Sequence, residues 1–148
     1  MNLILDGIFT GDYSYQRFIS SPQLSIQGTA RFEQIGANQK IYTEQGCYRL
    51  GENEQTCYQK QFFTVEASRL LIHKNDHSLL HEFALDDTLE FPFQLTHRHQ
   101  CGNDTYSLTM TIHSSDSFST SYVIQGPSKD YTIDTAFSRT ENPSTYQT

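Results

Sequence analysis

The most regular segment of the chain reads Phe93-Gln94-Leu95-Thr96-His97-Arg98-His99-Gln100-Cys101. Its odd-numbered positions hold apolar residues, histidines or a cysteine, and its even-numbered positions hold residues typical of a solvated surface. Successive side chains of a β-strand point to opposite faces, so a period of two indicates a half-buried strand. The segment is therefore predicted to be a β-strand with one face in a core that contains polar groups.

The same alternation recurs along nearly the whole chain. It covers segments 11–19, 26–35, 39–50, 55–63, 68–73, 78–85, 93–101, 106–112, 117–125 and 131–139. Short clusters of Gly, Asn, Asp, Ser and Pro separate these segments, which is typical of turns between strands. Only a short turn near Leu3–Phe9 fits a helical pattern. The sequence therefore predicts eight to ten strands at regular spacing.

One-sided strands joined by hairpins must close on themselves or stack in pairs, because each strand has an apolar face to bury. Closure also removes unpaired strand edges. We therefore predict an all-β fold, a closed antiparallel up-and-down β-barrel of eight to ten strands, with a two-sheet sandwich as the alternative. Residues 1–148 are predicted to form a single β-barrel domain, with 140–148 as a loose C-terminal tail.

Composition limits the classes of function. The 148 residues include 10 Phe, 9 Tyr and no Trp, which suits pleated surfaces with one aromatic face. The net charge of −7 disfavours binding to nucleic acid or to an anionic membrane. There is no apolar run of membrane-span length and no basic N-terminal region of a signal peptide, and three cysteines suggest reduced thiols. We expect a soluble, cytoplasmic monomer or homodimer that binds no nucleic acid and no membrane.

Polar residues share the aromatic face of several predicted strands. They are Arg17, Glu44, His81, His97, His99, Cys101 and Arg139. An unpaired buried charge is costly, so these groups must pair, be hydrated or bind something. Two interpretations remain open: a buried Arg–Glu–His network that fixes strand register, and a polar, water-containing cavity that receives a small molecule.

His97, His99 and Cys101 are residue types that bind zinc. Residues two apart on a strand lie about 6.5–7 Å from each other, so all three converge poorly on one ion, and a fourth ligand such as His81 would have to come from another strand. We predict no metal. A Cys101 nucleophile activated by histidine is conceivable, but a buried inert thiol is more common. No phosphate loop or nucleophile elbow is present, so the sequence predicts no cofactor and assigns no catalytic residue.

Several motifs, in a fixed order along the chain, resemble one family. They are Gly11-x-Tyr13-x-x-x-Arg17, Gly28-x-Ala30-x-Phe32, Tyr42-x-Glu44-x-Gly46, His99-x-Cys101-x-x-Asp104-x-Tyr106 and Tyr122-x-Ile124-x-Gly126-Pro127-x-Lys129-Asp130-Tyr131, followed by Arg139. Over about residues 7–139 this set resembles a widespread family of small uncharacterised domains, known only as a domain of unknown function. The family usually has Trp where this chain has Tyr13 and Tyr122, and Arg where it has Ser128.

The chain is also similar to lipocalin-type barrels, which begin with a Gly-x-Trp strand after a short helical turn. In those barrels an arginine of the closing strand packs over the aromatic ring. In this chain Gly11-Asp12-Tyr13 would correspond to the Gly-x-Trp strand, and Arg139 would correspond to the arginine that packs over its ring. The resemblance implies a lipocalin-like, or calycin-like, barrel that binds a small molecule, with Tyr13 and Arg139 capping its floor.

The leading hypothesis is a lipocalin-like protein that binds a small, partly polar molecule in the barrel interior. The candidate ligand-binding residues are Arg17, Tyr42, Glu44, His81, His99, Cys101, Asp104, Tyr106, Tyr122, Lys129, Asp130 and Arg139, and Phe32 would form a further wall. Lys129 and Asp130 are expected at the rim near Asp104, because Gly126-Pro127 makes a sharp turn just before them.

Two other classes of function are weighed against this one. An enzyme would use His99 or His81 as general acid/base, with Lys129 or Arg17 stabilising charge. A protein-interaction module would need an exposed apolar patch, and the Ser, Thr and Gln on the outer strand faces argue against it.

Overall fold

The computed structural model describes residues 2–86 and 88–140. It contains one helix, α1 (Leu3–Ile8), followed by ten strands. The strands are β1 (Gly11–Ser20), β2 (Gln23–Gln34), β3 (Gln39–Leu50), β4 (Asn53–Val65), β5 (Arg69–Lys74), β6 (Leu79–Ala84), β7 (Phe93–Cys101), β8 (Asp104–Ser114), β9 (Ser117–Gln125) and β10 (Asp130–Arg139). The prediction of an all-β chain with a short helical turn near its start is confirmed. From residue 141 onward, the predicted tail lies outside the described residues.

The strands form one antiparallel sheet in which consecutive strands pair, except β6 and β7, and β1 also pairs with β10. The two end strands, β6 and β7, lie against each other. Within the described ranges, no backbone ladder joins them. The predicted up-and-down barrel is therefore confirmed with ten strands, but its wall is nearly closed rather than fully closed. We call the line between β6 and β7 the seam.

The predicted inward faces are those that the structure buries, except at strand ends such as Cys101, the last residue of β7, which is exposed. In β1, Tyr13 and Tyr15 are buried, whereas Asp12, Ser14 and Gln16, which alternate with them, are exposed. The same alternation places residues of all ten strands in or against one core. A period of two was sufficient to identify these faces, because the core side of a strand cannot change without moving every side chain to the opposite face.

Aromatic side chains fill one end of the barrel. Phe9 follows α1 and is fully buried, with ring centroids of Phe32, Phe63 and Phe118 at 5.2, 5.1 and 5.8 Å. Tilted and edge-on contacts at these separations are the favoured geometries of aromatic pairs. Leu5 and Ile8 of α1 are buried beside them, so the helix seals this end. In the ranges 2–86 and 88–140, no helix is long and apolar enough to cross a membrane.

Polar contacts hold the helix on this floor. The Arg139 guanidinium lies 4.8 Å from the centroid of the Tyr13 ring and donates to the carbonyls of Gly7 and Thr10. Tyr13 in turn donates to the Ile8 carbonyl. The expected stack of arginine on aromatic ring is present, and it lies at the sealed end as a floor cap.

Two glycines allow β1, β2 and β3 to approach each other closely. Gly28 and Gly46 are direct partners in the ladder between β2 and β3. A Cβ on Gly28 would lie 2.1 Å from the Gln45 carbonyl oxygen, and one on Gly46 would lie 2.2 Å from the Tyr15 hydroxyl. Neither position admits a side chain without a shift of the neighbouring strand or ring, so the tight coiling of the wall here requires glycine.

Candidate functional site

The polar interior occupies the half of the barrel away from α1. In an up-and-down barrel the hairpins alternate between the two ends, and the connections of β1–β2, β3–β4, β5–β6, β7–β8 and β9–β10 all lie at this open end. Partly buried side chains of Ile19, Leu24 and Tyr48 form an apolar surface near the mouth. Polar groups lie between this surface and the aromatic floor, in three clusters.

The first cluster is centred on Glu44 of β3. Arg17 donates two hydrogen bonds to its carboxylate, Nη1 to Oε2 at 2.7 Å and Nη2 to Oε1 at 3.0 Å. Tyr42 donates to Oε1 at 2.9 Å, and Arg17 Nε donates to Thr135 Oγ1 at 2.8 Å. Burial, followed by the Glu44 charge, raises the pKa of Tyr42 well above its usual value, so its hydroxyl remains a donor. Arg17 and Glu44 thus form a bidentate ion pair on the inner side of the wall.

The second cluster bridges the seam. His81 of β6 is fully buried, and its Nδ1 lies 2.9 Å from Nδ1 of His97 on β7. Its Nε2 lies 2.8 Å from the Tyr122 hydroxyl of β9. Burial, aided by the neighbouring His97 and His99, lowers the pKa of His81 to about 3. In the Nδ1–Nδ1 contact one nitrogen must donate and the other must accept, so only one of the two carries a hydrogen.

The third cluster lies at the rim. Lys129 donates to the Tyr106 hydroxyl at 2.9 Å and lies 3.2 Å from Oδ2 of Asp104. The bond to Tyr106, followed by Asp104, raises the pKa of Lys129 above its usual value. Gly126 leaves room for this arrangement, since a Cβ there would lie 1.9 Å from Oδ1 of Asp104. The predicted proximity of Lys129 to Asp104 at the rim is confirmed.

The remaining predicted residues are more dispersed. His99 is half-buried, with its ring centroid 6.2 Å from that of His81 and 6.3 Å from that of Tyr106, and burial lowers its pKa. Cys101 and Asp130 are exposed. Arg139 lies at the sealed floor, away from the three clusters. In the part of the chain that the structure describes, no three His, Cys, Asp or Glu side chains are placed to hold a metal ion.

The single Arg–Glu–His network considered from the sequence is present as two separate networks. Glu44 bonds to Arg17 and Tyr42, whereas His81 bonds to His97 and Tyr122. Sequence reasoning placed His97 on the inward face and weighed it as a metal ligand, but it did not select His97 for the ligand-binding site. Its contact with His81 depends on how the two ends of the sheet meet, which strand periodicity does not encode.

A small cavity lies between the first two clusters and the aromatic floor. Its volume is about 70 Å³, and its lining includes Arg17, Glu44 and Tyr122 on the polar side and Phe32 and Phe137 on the other. That volume holds roughly two waters at about 30 Å³ each. The cavity also borders Gln59 and Gln61, which sequence reasoning did not select because the alternation in β4 is weak. Gln59 is exposed, so the cavity reaches solvent on that side.

A ten-stranded up-and-down barrel with one end sealed by a helix and a polar interior toward the other end is a lipocalin-like, calycin-like barrel. Residues 9–139 match the sequence model of a family described as "Family of unknown function (DUF6314)", and the chain belongs to that family. No curated protein sequence gives a significant match.

Solved structures share this architecture at low sequence identity. The S-type phycobiliprotein lyase CPES from Guillardia theta superposes with a TM-score of 0.69 at 7% identity, over 96% of this chain and 94% of that one. The redesigned β-barrel b11L5F_LGL gives 0.54 at 12% identity, over 95% and 100% of the two chains. EF1p2_mFAP2b bound to DFHBI gives 0.53 at 12% identity, over 91% and 96%. At these identities the likeness establishes the fold, which resembles that of ligand-binding barrels.

Proposed function

We propose that this protein binds a small, uncharged, partly polar molecule in the open half of its barrel. The polar end of the ligand enters the cavity beside Arg17, Glu44 and Tyr122. Its apolar remainder lies against the apolar surface near the mouth. The observation that carries this proposal is the position of hydrogen-bonding side chains around a cavity that reaches solvent, above a floor that is packed and sealed.

The absence of charge on the ligand follows from pairing within the site. Arg17 is neutralised by Glu44, and Lys129 by Asp104. His81 is kept neutral by burial. A charged ligand would lose its hydration without gaining a free counter-charge, which is unfavourable. A neutral hydrogen-bond donor or acceptor loses much less hydration free energy than an ion, and it can hydrogen-bond to the side chains that line the cavity.

The fold supports the same conclusion by analogy. One of the similar barrels, EF1p2_mFAP2b, has DFHBI bound, so a barrel of this fold accommodates a small molecule. Because fold alone does not assign a ligand, the polar groups of this chain carry the proposal.

The enzyme alternative receives less support. A general acid/base works best when its pKa lies near the operating pH. His81 has a pKa of about 3, and both of its ring nitrogens are already bonded. His99 has a lowered pKa and lies nearer the rim than the cavity.

The test uses three small molecules of nearly equal shape and different charge: p-cresol, p-toluate and 4-methylbenzylammonium. Each is titrated into ¹⁵N-labelled protein, and amide shifts are followed by NMR. We expect p-cresol to bind with a Kd of about 1 mM or tighter and the two ions to bind at least about tenfold more weakly. The shifted amides should belong to residues around the cavity and the mouth.

Tyr122→Phe removes one hydroxyl from the cavity wall, and Tyr58→Phe removes one from the outer surface, where Tyr58 is 72% exposed. The first change should weaken p-cresol binding and the second should leave it unchanged. Equal binding of all three compounds, or shifts confined to the outer surface, would overturn the proposal.

A further inference from the structure

A second and larger concavity lies on the outer face of the wall. Its volume is about 950 Å³, compared with about 70 Å³ for the interior cavity. Outward-facing residues of β9, β10, β1, β2, β3 and β4 form its sides, in two adjacent rows that cross the strands. We call it the outer groove.

The groove has a structural cause. The side chains of Arg17, Ile26 and Thr135 point inward, which leaves a trough between the outward rows on either side of them. The ladder between β2 and β3 ends at Gln27 and Cys47, although both strands continue toward the open end. The β1–β2 and β3–β4 hairpins therefore separate beyond this point and deepen the trough.

An uncovered aromatic ring lies in the groove. Phe18 is 46% exposed although it is within β1 and not at its end. Its direct partners on the two neighbouring strands are Ser25 and Asp134, which are too short to cover the ring. Ala136 lies opposite Gln16 in the neighbouring row, and its short side chain leaves the base of the groove open beside the ring. The face of the ring is thus accessible.

Hydrogen-bonding groups surround this ring. Gln16 and Gln27 are direct partners in the ladder between β1 and β2, and both are exposed. Each amide offers two donors and one acceptor oxygen, and the exposed Asp134 carboxylate accepts only. Arg49 and Glu54 face each other across the β3–β4 ladder and offset each other's charge. Arg17 also lines the groove, but its charge is paired with Glu44, so Asp134 leaves the groove with one excess negative charge.

We infer that the outer groove binds a neutral oligosaccharide. A sugar ring has an apolar C–H face that packs on an aromatic ring and an edge of hydroxyls that amides and carboxylates hydrogen-bond. Phe18 supplies the first surface, and Gln16, Gln27 and Asp134 supply the second. The groove crosses six strands, and five spacings of about 4.8 Å make it roughly 24 Å long in the direction across the strands. It is therefore longer than one sugar ring. The negative charge disfavours anionic saccharides.

The experiment titrates full-length protein with neutral hexasaccharides of glucose, mannose, xylose and N-acetylglucosamine, and with an oligogalacturonate as the anionic counterpart. Binding is measured by calorimetry. We expect at least one neutral hexasaccharide to bind with a Kd of about 1 mM or tighter and the oligogalacturonate to bind at least about tenfold more weakly.

Phe18→Ala should weaken that binding by about tenfold or more. Tyr58→Ala removes another exposed ring of the outer face that does not line the groove and should leave the affinity unchanged. Both variants should bind p-cresol like the unaltered protein, which separates this site from the one in the lumen. Binding of no neutral hexasaccharide, equal losses in the two variants, or preference for the uronate would overturn the inference.

Discussion

At the scale of single residues, Arg17 and Glu44 determine the character of the interior. Their side chains are 16% and 3% exposed, so both charges have lost most of their hydration. The pair with its two hydrogen bonds offsets that loss, but either charge alone would be left buried and uncompensated. The pair therefore stabilises the fold only when both partners are present. Substitution of one partner alone tests this statement.

Glu44→Gln should lower the free energy of unfolding by about 2–4 kcal/mol, because the amide keeps the shape of the side chain but leaves the Arg17 charge unpaired. Urea unfolding measures this loss. Glu33→Gln is the matched control, because Glu33 pairs with Arg31 where both side chains are more than half exposed. Its effect should be within about 0.5 kcal/mol. Equal effects of the two changes would contradict this account of the pair.

The sequence predicted that Arg17 and Glu44 face inward and left an Arg–Glu–His network as one of two interpretations, but it did not identify which of these residues pair. The period of two assigns a face to each residue and says nothing about which residue it meets. In the observed register Arg17 lies opposite Ile26 and Glu44 opposite Ala30, so the pair forms obliquely across β2. Only the stagger of three strands and the closeness of Gly28 to Gly46 bring the two groups together.

At the scale of elements, the seam is held by side chains. His81 faces His97 and His99 from β7, Tyr122 from β9 and its own neighbour Phe83. Both ring nitrogens of His81 are already hydrogen-bonded, and its burial disfavours the protonated form. The packing of β6 against β7 therefore requires His81 to remain neutral.

This requirement makes the stability of the fold depend on pH. The pKa of His81 is about 3 in the folded chain and about 6.5 in an unfolded one, so the folded state resists protonation. Its contribution is fully present above pH ~6.5 and is lost as pH falls from ~6.5 toward ~3, at up to about 1.4 kcal/mol per pH unit. Urea unfolding at pH 7.5 and pH 5 measures the loss.

His81→Gln should have a smaller loss over the same interval, because an amide does not titrate. His113→Gln, at an exposed histidine of β8, is the control and should behave like the unaltered protein. A pH dependence that is the same in all three proteins would contradict the role of His81. The sequence predicted an inward His81 but not a seam, since nothing in hairpin order tells which two strands meet last.

At the scale of the whole molecule, the ladders predict how the barrel opens. β1 and β10 have paired neighbours on both sides, whereas β6 and β7 are each paired on one side only. Amides without a ladder partner open at little cost, so hydrogen exchange should be fastest at β6 and β7 among the strands and slowest at β1 and β10. Exchange followed by NMR tests this order. Uniform protection around the wall would show a continuous ladder instead.

The strand pattern predicted the architecture of the whole molecule better than its surfaces. A barrel of eight to ten strands, the inward faces of those strands and the stack of Arg139 on Tyr13 followed from alternation and from the family resemblance. The small size of the interior cavity and the presence of the outer groove did not. Both depend on summed side-chain volumes and on the curvature of the wall, which are properties of the assembled sheet and not of any one segment.

The pairing of β1 with β10 also has a consequence for synthesis of the chain. Tyr13 and Arg139 are hydrogen-bonded although they lie 126 positions apart in the chain, and α1 is held on the floor by the same arginine. On the ribosome, the first strand therefore waits for its partner until almost every residue described in the structure has been made. Until β10 has been made, β1 and β9 each lack one ladder partner, so the barrel is expected to form only after β10 has left the ribosome.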